Sequence, residues 1–272
     1  MFETYLRQWD LTADGVVTVT RTARLLPVLW QGAPAMLKVF ADPAGEDLRG
    51  SALLSWWNGE GAARVLAQSD TALLMERAAG PQSLAGMASN GHDDEACRLL
   101  CAVAARLHAP RSEPLPPLTP LQHWFAELDP VARTEGGILM RASDTARILL
   151  AEHRDVAALH GDLHHGNVLD FGARGWLAID PKALLGERGF EFAAIFANPD
   201  LADPTKRVAR DADRFACRVE TVAAAAGLER LRLLKWILAG SGLSAAWFIR
   251  DRDPLAAISL RIARLAAAEL DR

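Results

Sequence analysis

Three polar residues mark the part of the chain best suited to chemistry. Asp162 and Asn167 stand five apart in Leu159-His160-Gly161-Asp162-Leu163-His164-His165-Gly166-Asn167-Val168-Leu169, and Asp180 lies in Trp176-Leu177-Ala178-Ile179-Asp180-Pro181-Lys182. Residues 167–171 and 175–180 read as short strands, and Phe171-Gly172-Ala173-Arg174-Gly175 as the turn between them. Such a hairpin returns Asp180 to the loop of Asp162 and Asn167. A carboxylate, an amide oxygen and a second carboxylate then share one site. Phosphoryl transfer needs such a set: one carboxylate orients an acceptor hydroxyl and takes its proton, while the other and the amide hold Mg²⁺, a hard ion that prefers oxygen.

The same chemistry calls for a distant lysine to clamp nucleotide phosphates. The first forty residues read as an antiparallel meander, with strands at 16–20, 24–30 and 35–40 and a turn at Gln31-Gly32-Ala33-Pro34. Lys38 lies near the end of the third strand and is the candidate clamp. A helix over 46–58 follows, and an acid in it should hold that lysine. Glu46 is the expected partner, with Asp47 beside it. Residues 64–66 and 72–75 read as two further strands. Past Gly80-Pro81 the pattern turns helical: an amphipathic helix over 93–108, a proline-rich connector over 110–120, helices at about 120–135 and 143–153, and Ala- and Leu-rich helices from about Glu187. A β-rich part up to about residue 78 and a larger helical part over 79–272 leave a cleft between two lobes, a common place for small ligands.

Composition narrows the partners. Half of the 272 residues are hydrophobic and 24% are charged, so the chain is globular rather than disordered. A net charge of −4 speaks against nucleic acid or an anionic membrane as the main partner and is compatible with a cationic small molecule. The three cysteines, an odd and small number, suggest a reducing compartment; with no apolar signal segment and no uncharged stretch long enough to span a bilayer, a cytoplasmic protein is expected. Glu187 and Glu191 follow the metal loop and could face a polycation, or lie on a solvated helix face. Trp247, near Trp236 and Phe248, reads as core or as a ring for substrate stacking. His160, His164 and His165 with Asp162 leave a zinc-dependent hydrolase as a distant alternative.

The run His160-Gly161-Asp162-Leu163-His164-His165-Gly166-Asn167 resembles the catalytic loop of the antibiotic-kinase branch of the protein-kinase-like fold. Within that branch the chain is similar to the aminoglycoside/hydroxyurea phosphotransferase family, known for streptomycin 6-phosphotransferases. The similarity runs through Leu48-Arg49-Gly50, residues 57–66, 159–168 and 175–186, and Gly242-Leu243-Ser244-Ala245-Ala246-Trp247. The resemblance implies an α+β, two-lobed fold with a nucleotide-binding lobe over 1–78 and the catalytic loop in the lobe over 79–272. It implies Asp162 as catalytic base, Asn167 and Asp180 as metal ligands, Lys38 as phosphate clamp, and Leu74-Met75-Glu76-Arg77-Ala78 as the hinge, where backbone groups such as those of Glu76 and Ala78 hold the adenine of ATP. The implied acceptor is an aminoglycoside such as streptomycin; hydroxyurea, another metabolite, or nucleotide binding without transfer are the alternatives. Two departures stand out. The turn at Thr20-Arg21-Thr22-Ala23 has no glycine, and Asp180 is followed by Pro181-Lys182, whose proline fixes φ and disfavours a mobile flip.

Overall fold

A computed structural model describes residues 2–42 and 45–272. Its amino-terminal part runs α1 (Phe2–Gln8), β1 (Leu11–Ala13), β2 (Thr18–Val19), β3 (Ala23–Trp30), β4 (Ala33–Phe40), α2 (Glu46–Trp57), β5 (Val65–Gln68) and β6 (Ala72–Glu76). Then come α3 (Leu84–Ser89), α4 (Asp93–Leu107), β7 (Thr119–Pro120), α5 (Leu121–Trp124), α6 (Leu128–Glu135), α7 (Gly137–Ala151), β8 (Val156–Leu159), β9 (Val168–Asp170), β10 (Trp176–Ala178) and β11 (Leu184–Glu187). A 3₁₀ helix over Arg188–Ala197 leads to α8 (Ala212–Ala226), α9 (Arg230–Arg250) and α10 (Ala256–Leu270).

Among the described residues, β1, β3, β4, β6 and β5 form an antiparallel sheet in that order, with β2 on β3. The β3–β4 turn places Gln31 and Gly32 at φ of 51° and 79°, the mirror-image turn that matches strand twist. Alternation sends Leu26, Val28, Ala35, Leu37 and Leu74 into a small core, closed by Tyr5 and Trp9 of α1 and the chain after it. The expected strand over 16–20 shrinks to two residues because Val16, Val17 and Val19 stay exposed and gain no burial. The expected helix over 120–135 is two, α5 and α6. Pro130 sits in the first turn of α6, where a missing N–H costs little.

Two local features connect this sheet to the helical part. Helix α2 buries Leu53, Leu54 and Trp57 and ends at Asn58, whose left-handed φ of 48° lets its N–H reach the last carbonyls. Gly50 on the same helix lies so close to the Pro181 carbonyl that a Cβ would come within 2.4 Å of it. The β9–β10 hairpin is clasped from both sides: Ala63 donates to Ala178, Ala178 to Gly61, and Gly80 to Asp170, each at 2.9 Å between backbone atoms. Strand β8 pairs antiparallel with β11, Leu159 facing Leu184. The loop leaving β8 and the loop entering β11 therefore start side by side.

Candidate active site

Loop 160–167 is anchored from below by one buried carboxylate. Glu191, carried up by the 3₁₀ helix and 1% exposed, accepts the N–H groups of His160 and Gly161 at 2.8 Å each, and pairs with His108 Nε2 at 3.0 Å. Burial alone would raise its pKa, but the hydrogen bonds from His108 and from the Gly161 N–H hold it below the usual glutamate value. His160 is fully buried. Its Nδ1 accepts the N–H of Asp162 at 3.2 Å, so the ring proton lies on Nε2 and is donated to the Ile179 carbonyl at 2.7 Å. Burial lowers its pKa, which keeps that neutral form. Trp57 of α2 stacks on the same ring with centroids 6.3 Å apart. One imidazole thus fixes the distance between the Asp162 loop and the segment that leads from β10 to Asp180.

On this support the Asp162 side chain is 38% exposed, open to an acceptor. Asn167 Nδ2 donates to the Asp162 carbonyl at 2.9 Å and to its Oδ2 at 3.3 Å, which turns the Asn167 amide oxygen away from Asp162. His164 Nδ1 accepts the Gly166 N–H at 3.0 Å, and Nε2 lies 3.7 Å from Asp162 Oδ1. Asp180 stands beyond them at a left-handed φ of 59°, sparsely populated for a side chain of this kind. Lys38 of β4 reaches its Oδ1, and Lys182 Nζ lies 3.6 Å from its Oδ2. Burial would raise the Asp180 pKa, yet these two lysines outweigh it and bring it to about 2. Its charge is therefore permanent at physiological pH.

Lys38 is held by Asp47, at 2.5 Å, and not by Glu46. Successive residues on a helix point about 100° apart, so only one can face β4. Glu46 faces the loop after Asp180 and binds Lys182 at 2.8 Å. Nor do Glu187 and Glu191 face a ligand. Glu187, 3% exposed, accepts from Arg232 Nε and Nη2 at 2.6 Å, Trp236 Nε1 at 2.8 Å and the Arg154 N–H at 3.0 Å. Both carboxylates are saturated by partners far away in the sequence. Trp247 does line a cleft of about 90 Å³ that Asp162 also borders, together with Phe190, Ser241 and Trp124; the Trp124 and Trp247 rings meet edge to face at 5.3 Å. On the other side of Asp180, a small cavity of about 10 Å³ is lined by Lys38, Asp47, Leu73, Met75 and Pro181. The Glu76 carboxylate at the end of β6 takes the Arg64 N–H at 2.6 Å and pairs with Arg174, while the Glu76 N–H goes to the Arg64 carbonyl at 3.0 Å.

The donor set suits a hard divalent ion that shares its shell with phosphate. The Asn167 amide oxygen and the Asp180 carboxylate supply two oxygen ligands, as Mg²⁺ in phosphoryl-transfer sites requires. It does not suit zinc: His160 spends both nitrogens on the backbone, and among the described residues no cluster of three His, Cys, Asp or Glu could hold a metal. No helix among them is long and apolar enough to cross a membrane. Asp47 was offered by the sequence only as the neighbour of Glu46, and nothing in the sequence marked Trp124 or the anchoring role of Glu191; a lysine two residues after Asp180 was the signal available for Lys182.

This antiparallel sheet, cleft and loop pair define a kinase-like phosphotransferase. Residues 8–252 match the family described as aminoglycoside/hydroxyurea antibiotic resistance kinase, and the chain belongs to that family. It is 53% identical over 269 residues to a streptomycin 3''-kinase of Klebsiella pneumoniae, covering 98% of this chain and 100% of that one. It is 31% identical over 266 residues to a streptomycin 6-kinase of Streptomyces glaucescens, covering 92% of this chain and 83% of that one. Among solved structures, a thermostable mutant of an aminoglycoside phosphotransferase superposes with a TM-score of 0.66 at 15% identity over the full length of both chains, a likeness of fold.

Proposed function

We propose that this kinase transfers the γ-phosphoryl group of ATP to the 3''-hydroxyl of streptomycin. The observation that carries the reaction is the convergence of Asp162, Asn167, Asp180 and Lys38 on one cleft between two cavities. What favours the 3''-hydroxyl over the 6-hydroxyl is identity, 53% to the 3''-kinase against 31% to the 6-kinase.

Asp162 orients the acceptor hydroxyl and takes its proton as the oxygen attacks. The new bond joins that oxygen to the γ-phosphorus; the bond to the β,γ-bridging oxygen breaks, and its electron pair leaves with ADP. Asn167 and Asp180 would hold Mg²⁺, which would supply positive charge beside the transferring phosphoryl group. Lys38, steadied by Asp47, binds the phosphates that stay behind, and the Glu76 carbonyl and Ala78 N–H hold the adenine edge. Most of the rate comes from positioning and electrostatics. The acceptor lies in the cleft beside Asp162, where Trp124 and Trp247 offer aromatic faces to its guanidinium groups. The reading places the enzyme in the cytoplasm, where ATP is supplied.

The test is turnover of purified protein with Mg-ATP and streptomycin, with the product located by mass and by ³¹P–¹H correlation. A singly phosphorylated product at the 3''-position is expected. Phosphate at the 6-position would correct the regiochemistry. Turnover with hydroxyurea alone would replace the acceptor, and no turnover with any acceptor would overturn the reading.

A further inference from the structure

Two consecutive acids open α2, and each holds a lysine. Asp47 holds Lys38 at 2.5 Å and Glu46 holds Lys182 at 2.8 Å. Both lysines also reach Asp180, one at each carboxylate oxygen. The site thus contains two lysine–carboxylate pairs that meet on one metal-binding aspartate. Only the Lys38 pair has a task so far.

The two lysines approach from different directions. Lys38 comes from the sheet, on the cavity side of Asp180. Lys182 is fastened to the catalytic loop itself: its N–H donates to the His160 carbonyl at 2.6 Å. Gly161, at φ 82°, lets the two loops approach: a Cβ there would come within 2.6 Å of the Leu184 side chain and 3.2 Å of Lys182 Cβ. The Lys182 side chain therefore stands between the Asp162 loop and Asp180, and it is 19% exposed. An ammonium has three N–H donors; Glu46 at 2.8 Å takes one, and Asp180 at 3.6 Å is an ion-pair neighbour beyond hydrogen-bond distance.

A phosphoryl group moving from ATP to an acceptor at Asp162 crosses that gap. Its equatorial oxygens carry the charge of the transition state and need a cation beside the metal. Residues 160–167 contain no lysine or arginine, and buried His160 has committed both nitrogens. Lys38 is engaged on the far side of Asp180.

We propose that Lys182 is a catalytic residue that binds the γ-phosphoryl group, held in place by Glu46, while Lys38 binds the phosphates that remain on ADP. The assignment rests on the phosphotransferase reading but needs no particular acceptor. Lys182 donates hydrogen bonds and transfers no proton; the bonds made and broken are those already given.

The experiment compares binding of Mg-ADP and of the non-hydrolysable Mg-AMP-PNP by calorimetry, which needs no turnover. Lys182→Met should weaken AMP-PNP by roughly 10- to 100-fold, the range of a charge-assisted hydrogen bond, and change ADP less than about 2-fold. Lys38→Met should weaken both. Turnover of Lys182→Met should fall about 10²-fold in kcat with little change in the acceptor KM. Lys182→Arg, which keeps charge and reach, should restore most of the preference for AMP-PNP. Lys182→Gln, which is uncharged and one atom shorter but keeps an N–H donor, is measured beside it against any loss of folding, and should behave as Lys182→Met. Equal weakening of both nucleotides, or a fall in thermal stability with nucleotide preference intact, would make Lys182 a structural tie and overturn the proposal. Wild-type protein that binds neither nucleotide would remove the phosphotransferase reading and this assignment together.

Discussion

Replacing Glu191 by Gln tests whether a buried carboxylate holds the catalytic loop in register. Glu191 takes the His160 N–H and His108 on one oxygen and the Gly161 N–H on the other. Whichever oxygen becomes an NH₂, at least one backbone N–H then faces a donor in a site sealed from water. A buried unsatisfied donor costs about 1–3 kcal/mol, and the bonds that survive lose their charge-assisted part, about 1 kcal/mol each. Together the variant should lose about 3–5 kcal/mol, which for a chain of this size lowers Tm by roughly 6–20 °C. The pH dependence has a definite sign. The folded pKa of Glu191 lies below the ordinary glutamate value of 4.5, so its ionised form contributes stability above that pH, and the contribution is lost as pH falls through the folded value. The gap in Tm between wild type and Glu191→Gln should therefore be full at pH 7 and narrow below about pH 4. Thermal unfolding at several pH values reads this, with kcat measured in parallel and expected to fall. A variant with wild-type Tm and only a raised KM for a cationic acceptor would show the carboxylate facing substrate and refute the anchoring argument.

Four other outcomes follow from the same geometry. Asp162→Asn should keep AMP-PNP binding and lose about 10²–10⁴ in kcat, the range of a general base; near wild-type turnover would remove that role. Asp47→Asn should raise the KM for ATP about tenfold by freeing Lys38, and an unchanged KM would mean that Asp180 alone suffices to place it. Gly50→Ala should destabilise by about 1–3 kcal/mol, because the new Cβ would lie 2.4 Å from the Pro181 carbonyl; the usual gain of alanine in a helix would contradict that contact. In native protein a thiol reagent should titrate Cys217 quickly and leave Cys97 and Cys101, whose pKa values burial pushes up to about 12; three fast thiols would contradict their burial.

The reactive loop was legible because its parts lie within twenty residues of one another and a hairpin brings them together. Lys38 was legible for a similar reason, since strand count places it. The partner of Lys38 was not, because two adjacent acids on α2 differ only in helical phase, and that phase is set by Trp57 and Leu53 packing into the core. Glu187 and Glu191 were misread because a carboxylate's role depends on Arg232, Trp236 and His108, each more than 40 residues away in the sequence. Strands β7 and β11 and helix α1 are too short for periodicity to mark them. The Trp124–Trp247 pair joins two helices that no local pattern relates.

The contact of Gly50 on the Pro181 carbonyl makes α2 and the metal loop a single mechanical part. A kinase that carries a signal keeps such a helix and loop separable, so that a partner or a modification can hold them apart and silence it. With α2 and the loop in such contact, the lysines should stay aimed at Asp180 whether or not an acceptor has arrived. Such an enzyme would have water as its weakness: idle hydrolysis of ATP would be limited by how well the acceptor cleft excludes a water molecule from Asp162.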